Sequence, residues 1–116
     1  MDDKELYRRF LSGDEEGLRL IMEKYRPWLT FFVNSIVHSI STADEIVEDT
    51  FADLVIKRPH YSGSGSFKTW LYSIARNRAL RYMRRNSIYV PLTDDLDESF
   101  SDWVALPDSF QSVART

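Results

Sequence analysis

Leu18-Arg19-Leu20-Ile21-Met22-Glu23-Lys24-Tyr25-Arg26-Pro27-Trp28-Leu29-Thr30-Phe31-Phe32-Val33-Asn34-Ser35-Ile36-Val37-His38-Ser39-Ile40 carries its apolar residues at helical intervals. Leu18, Ile21, Met22, Tyr25, Leu29, Phe32, Val33, Ile36 and Ile40 recur every three or four positions, which gathers them on one helical face. Asp14 stands where an N-cap would satisfy the first free N–H groups, and Glu15 and Glu16 complement the positive end of the helix dipole. Pro27 lies inside the pattern, where it removes one donor and crowds the carbonyl of Glu23. A kink is expected there, not a stop.

Upstream of this helix, Leu6, Tyr7, Phe10 and Leu11 make a short amphipathic helix that Ser12-Gly13 would end. Downstream, Ser41 or Thr42 can cap a third helix with Ala43, Ile46, Val47, Thr50, Phe51, Leu54 and Val55 turned inward and its acids turned outward. Arg58-Pro59 closes it, and Tyr61-Ser62-Gly63-Ser64-Gly65-Ser66 reads as a loop. A fourth helix begins near Ser66, with Phe67, Trp70, Leu71, Ile74, Ala75 and Tyr82 available for packing. No strand pattern competes. The expected fold is all-α: a compact bundle of three main helices plus a short N-terminal one, over residues 1–86. Residues 87–116 lose the periodicity, and Pro91, Pro107 and an acid-serine mixture mark a mostly irregular acidic tail or interdomain linker. Phe100, Trp103 and Leu106 are apolar enough to dock somewhere.

A chain of 116 residues suits one domain, since domains typically run roughly 100 to 150 residues. Cysteine is absent, which removes disulfide frameworks, thiolate nucleophiles and sulfur-liganded zinc. A reducing cytoplasm fits best. The start, Met1-Asp2-Asp3-Lys4-Glu5, lacks the basic opening and apolar run of a secretory signal. The apolar run from Trp28 to Val37 falls well short of the roughly 20 residues that span a bilayer, so no membrane insertion is expected. His38 and His60 have no second ligand at helical spacing, and Lys68 follows Phe67 where a phosphate-binding loop needs glycine. No nucleophile elbow organises the serines. Neither catalytic residues, nor a metal site, nor a cofactor is expected.

The net charge of −3 conceals blocks of opposite sign. Between Thr42 and Val55 stand Asp44, Glu45, Glu48, Asp49 and Asp53 with no base. Between Phe67 and Asn86 stand Lys68, Arg76, Arg78, Arg81, Arg84 and Arg85 with no acid. A charge run is by itself most often a solvated face. A wholly basic helix, however, pulls on phosphate in a way that intermixed charges do not.

Ala43-Asp44-Glu45-Ile46-Val47-Glu48-Asp49-Thr50-Phe51, followed by Gly65-Ser66-Phe67-Lys68-Thr69-Trp70-Leu71-Tyr72-Ser73-Ile74-Ala75-Arg76-Asn77, resembles region 2 of the bacterial extracytoplasmic-function sigma factors. The resemblance covers roughly Lys4 to Asn86 and includes the Tyr25-Arg26-Pro27 step. It implies a non-enzymatic transcription initiation domain that binds core RNA polymerase and recognises and melts the minus-ten promoter element. The acidic helix would dock on the clamp helices of the largest polymerase subunit, making Glu45, Glu48, Asp49 and Asp53 candidates there; the family often has glutamine and glutamate where Glu48 and Asp49 stand. The loop and basic helix would receive a base flipped from the non-template strand, with Tyr61, Tyr72, Ile74 and Asn77 lining the pocket. Lys68, Arg76, Arg78 and Arg81 would hold phosphates. Trp70 is read as core packing. The family also implies an anti-sigma factor as a potential partner. Its members carry a second, helix-turn-helix domain, and none is expected after Ser87, whether because the chain is a fragment or because the natural protein is truncated. The rival reading is a helical interaction module with a sigma-like fold that sequesters a partner without touching DNA.

Overall fold

The computed structural model describes residues 2–63, 65–86 and 100–106, and the regular structure among them is entirely helical. Helix α1 spans Asp3–Leu11, α2 Glu15–Val37, α3 Ile40–Lys57 and α4 Phe67–Arg85. Each start has a side-chain cap that satisfies an otherwise orphaned N–H. Asp2 accepts from Glu5, Asp14 from Glu16, Ser39 from Thr42 and Ser66 from Thr69. The second and fourth of these helix starts fall where the sequence places them.

The junction between α2 and α3 differs from expectation. His38 takes up the left-handed conformation, with φ 57° and ψ 38°, and closes α2 at Val37. Ser39, rather than Ser41 or Thr42, then caps α3. Ile40 therefore leaves the apolar face of α2 and becomes the first residue of α3, more than half exposed. The periodicity of α2 runs past its end because α3 begins two residues later with its own apolar spacing. Pro27 sits within α2 without ending it.

One face of α2 meets α1, α3 and α4. Leu18, Ile21, Tyr25, Leu29, Phe32, Val33 and Ile36 are buried as the pattern requires, and Met22 packs at the margin. From α3 come Ala43, Ile46, Val47, Thr50, Phe51 and Leu54, while Val55 points to solvent. From α4 come Phe67, Leu71, Tyr72, Ala75, Ala79, Leu80 and Met83. Helix α1 is fastened at both ends. The Tyr25 hydroxyl donates to the Asp3 carboxylate, and Lys24 Nζ lies 3.1 Å from it. The Tyr7 hydroxyl donates to the Pro59 carbonyl at 2.6 Å, and burial pushes its pKa up to about 12. Arg58 stacks on Phe10, 4.4 Å from its centroid, and donates to its carbonyl at 3.0 Å.

The tail was expected to be mostly irregular, and its described part holds one short helical segment over residues 100–105. Phe100 and Trp103, three residues apart and so on one helical face, both pack on Phe32, with centroids 5.8 and 5.9 Å away. The expectations for residues 87–99 and 107–116 lie outside the described residues.

Gly17 sets the distance between α1 and α2. A Cβ there would sit inside contact distance of the Leu6 carbonyl oxygen, a backbone atom that cannot swing aside. Gly17→Ala should therefore push α1 outward despite alanine's better helix propensity. The expected outcome is a loss of about 2 kcal/mol in urea unfolding, typical of overpacking. Unchanged or raised stability would show that α1 is not clamped at this point.

Candidate nucleic-acid and protein interfaces

Burial of the apolar face of α3 leaves Asp44, Glu45, Glu48 and Asp49 exposed along its outer side. They are not surrounded by acids alone. Arg26, on α2, donates to Glu48 at 2.7 and 3.4 Å. Arg78, on α4, donates to Asp53 through Nε at 3.1 Å and through Nη2, and lies 4.0 Å from Asp49. Glu45 and Asp49 share a groove of about 100 Å³ with Arg78, Arg81 and Arg85. Beyond the acids, α3 presents Val55 and Ile56 to solvent, the latter 77 % exposed. Ile56 was not singled out in the sequence because it falls off the inward spacing, and that displacement is itself the signal of an outward apolar side chain.

The fold divides the side chains of α4 into separate stripes, since residues four apart stack on one face. Arg78 and Arg85 turn toward α3. Asn77, Arg81 and Arg84 are exposed on the outward side, continuing the line of Trp70 and the half-buried Ile74. Lys68, Tyr72 and Arg76 form another line, turned toward the tail segment. Tyr72 is only 1 % exposed and packs on Tyr25 and Phe32, so in this conformation it has no free face to offer a base. Arg76 lies over the Phe100 ring at 5.4 Å, and Lys68 donates to the Leu106 carbonyl at 2.5 Å.

Tyr61 is half-buried beside this outward stripe. Its ring centroid lies 5.1 Å from Trp70 and 5.6 Å from Phe67, and its hydroxyl donates to the Gly65 carbonyl at 2.7 Å. Trp70 also packs on Tyr7 at 5.3 Å. A cavity of about 290 Å³ opens next to Tyr61, with Lys4, Arg8 and His60 in its walls. The structure thus groups Tyr61, Trp70, Ile74, Asn77 and Arg81 on one side of the molecule. It turns Arg78 away to α3 and places Lys68 and Arg76 beneath the tail. Among the described residues no cluster of histidine, aspartate or glutamate is arranged to hold a metal ion, and no helix is long and apolar enough to cross a membrane.

Residues 21–88 match the family model for Sigma-70 region 2, which is more than half of the chain. The chain belongs to the sigma-70 region 2 family. An RNA polymerase sigma-H factor of Pseudomonas aeruginosa is 27% identical over 81 residues, covering 70% of this chain and 42% of that protein. ECF RNA polymerase sigma-E factors of Escherichia coli K12 and Salmonella typhimurium LT2 are 28% identical over 94 residues, 81% of this chain and 49% of theirs. The chain spans about half the length of these curated relatives. No solved structure gives a significant match.

In this sigma-70 region 2 domain the contact between Asp53 and Arg78 fastens α3 to α4. The hydrogen bond from Arg78 holds the Asp53 carboxyl below the usual aspartate range, helped by the charges of Arg78 and Lys57. A depressed folded-state pKa adds stability above the unfolded value, and that stability is lost as pH falls through the folded value. Asp53→Asn should therefore cost about 1 kcal/mol at neutral pH, the upper range for a partly exposed pair. It should also flatten the acid limb of the stability–pH profile, measured by urea melts between neutral and acid pH. An acid limb identical to wild type would remove the pair from the interface between α3 and α4.

Proposed function

We propose that this region 2 domain acts in transcription initiation, holding core RNA polymerase through α3 and engaging the non-template strand of the minus-ten element through the outward stripe of α4. The observation that carries this reading is the segregation of the two faces. Asn77 and Arg84 stand exposed on the outward side of α4, while the acids gather on α3 and Arg81 stands at the border, lining the groove that holds Glu45 and Asp49. At Asn77 and Arg84 that arrangement keeps a phosphate chain away from the carboxylates that would repel it, and Arg81 marks the edge of the stripe. It equally turns the outer side of α3 toward a protein with basic side chains.

Glu45 and Asp49 are exposed candidates for the polymerase clamp, although Asp49 also lies 4.0 Å from Arg78. Glu48 and Asp53 already answer Arg26 and Arg78 within the domain, so a clamp residue has to share or replace those partners. Val55 and Ile56 extend the same face with apolar area, which suits the core of a protein interface better than charge alone does. On the DNA side, Arg81 and Arg84 hold phosphates and Asn77 offers an amide to a base edge. Tyr61 supplies a ring on which an unpaired base stacks for roughly 1 to 3 kcal/mol. Capture of that base outside the duplex is what would drive melting. Tyr72 supports this site from the core and does not line it.

The two kinds of contact should separate by experiment. With core polymerase present, Asn77→Ala should flatten discrimination among non-template minus-ten oligonucleotides in a fluorescence competition assay. Arg81→Ala should weaken every oligonucleotide alike and lower the slope of affinity against salt by about 0.7, the share of one single-strand phosphate. Sequence preference that survives Asn77→Ala would remove the amide from base readout. Binding of core polymerase with no effect of either substitution on DNA would favour the sequestering-module reading.

A further inference from the structure

We propose that residues 100–106 form a displaceable strap that masks Lys68 and Arg76, and that single-stranded nucleic acid competes with it for these two cations. The proposal rests on the nucleic-acid reading of α4. Its origin is the place where the strap lies. Phe100 and Trp103 seat on Phe32 of α2, at 5.8 and 5.9 Å, and from there the strap reaches across to α4. The ring of Phe100 lies under the Arg76 guanidinium at 5.4 Å, and the Leu106 carbonyl accepts from Lys68 at 2.5 Å. Both cations belong to the stripe of α4 that the outward DNA face does not use.

The chemistry of these contacts suits exchange. Within the strap, Leu106 contributes a carbonyl oxygen and Phe100 a ring face to the surroundings of these two cations, and a phosphate brings a full charge and charge-assisted hydrogen bonds to the same place. A strand already held at Asn77 and Arg81 would gain two further phosphate contacts by lifting the strap. The sequence adds a bias against weak or accidental binding. From Ser87 to Asp108 there is no base, and Asp94, Asp95, Asp97, Glu98 and Asp102 all repel phosphate. A strap docked in about nine molecules of ten would weaken nucleic-acid binding about tenfold, because only the open form binds fully.

The test uses the 116-residue chain and its Phe100→Ala/Trp103→Ala variant, with a fluorescein-labelled single-stranded DNA as probe. In the free wild-type protein, nuclear Overhauser effects should connect the Trp103 and Phe32 rings, and saturating DNA should abolish them. The variant should bind the DNA about threefold to tenfold more tightly than wild type in anisotropy titrations. Absence of the ring contacts in the free protein would overturn the strap itself. Ring contacts that persist with DNA bound, or equal affinities, would overturn the competition. If neither protein binds DNA at all, the nucleic-acid reading of α4 falls and the competition with it, an outcome that equal but measurable affinities keep distinct.

Discussion

Burial of one face of α2 against three neighbours at once is the constraint on which the remaining geometry depends. Every turn of that face, from Gly17 to Val37, carries a residue that another helix must cover. Gly17 admits the backbone of α1, and Leu29 and Val33 are fully buried among the helices. Tyr25 and Phe32 meet Tyr72 of α4 at 6.4 and 5.1 Å. A buried large apolar side chain stabilises by roughly 1.5 to 3 kcal/mol, so the rotation of α4 about its own axis is fixed by Tyr72 far more firmly than by any surface charge.

Fixing that rotation decides what each base on α4 can do. The sequence shows an uninterrupted basic helix, but the fold gives its side chains different partners. Arg78 answers an acid of α3 and becomes part of the scaffold. Asn77 and Arg84 are left facing outward, and Arg81 stands between them and the acids of α3. Lys68 and Arg76, one turn or more away along the buried side, meet the aromatic and carbonyl groups of the strap. In the proposed function only the outward stripe is immediately available to nucleic acid.

The parts legible in the sequence are those set by local rules. Apolar spacing revealed α2 and α3, Asp14 announced α2 as its cap, the glycine-serine loop placed the start of α4 near Ser66, and the family motif pointed to region 2. The parts that were not legible depend on which neighbour covers which side. Tyr72 reads equally well as a base platform or as core until Phe32 is known to face it. Asp53 and Arg78 look like members of two separate charged faces, and only the crossing of α3 and α4 joins them. Ala79, Leu80 and Met83 were missed because bases interrupt the apolar pattern of α4. His38 concealed the end of α2, since a non-glycine residue in the left-handed conformation has no strong sequence signal.

In the proposed function α3 and the outward stripe of α4 serve different partners, protein and nucleic acid. Hydrogen exchange read by mass spectrometry, on the chain bound to core RNA polymerase with and without promoter DNA, distinguishes the two faces. Core polymerase alone should slow exchange across residues 44–56, and promoter DNA should then add protection over residues 60–81. Protection of 60–81 by polymerase alone with none added by DNA, or exchange in α3 that polymerase leaves unchanged, would contradict the division of the two faces.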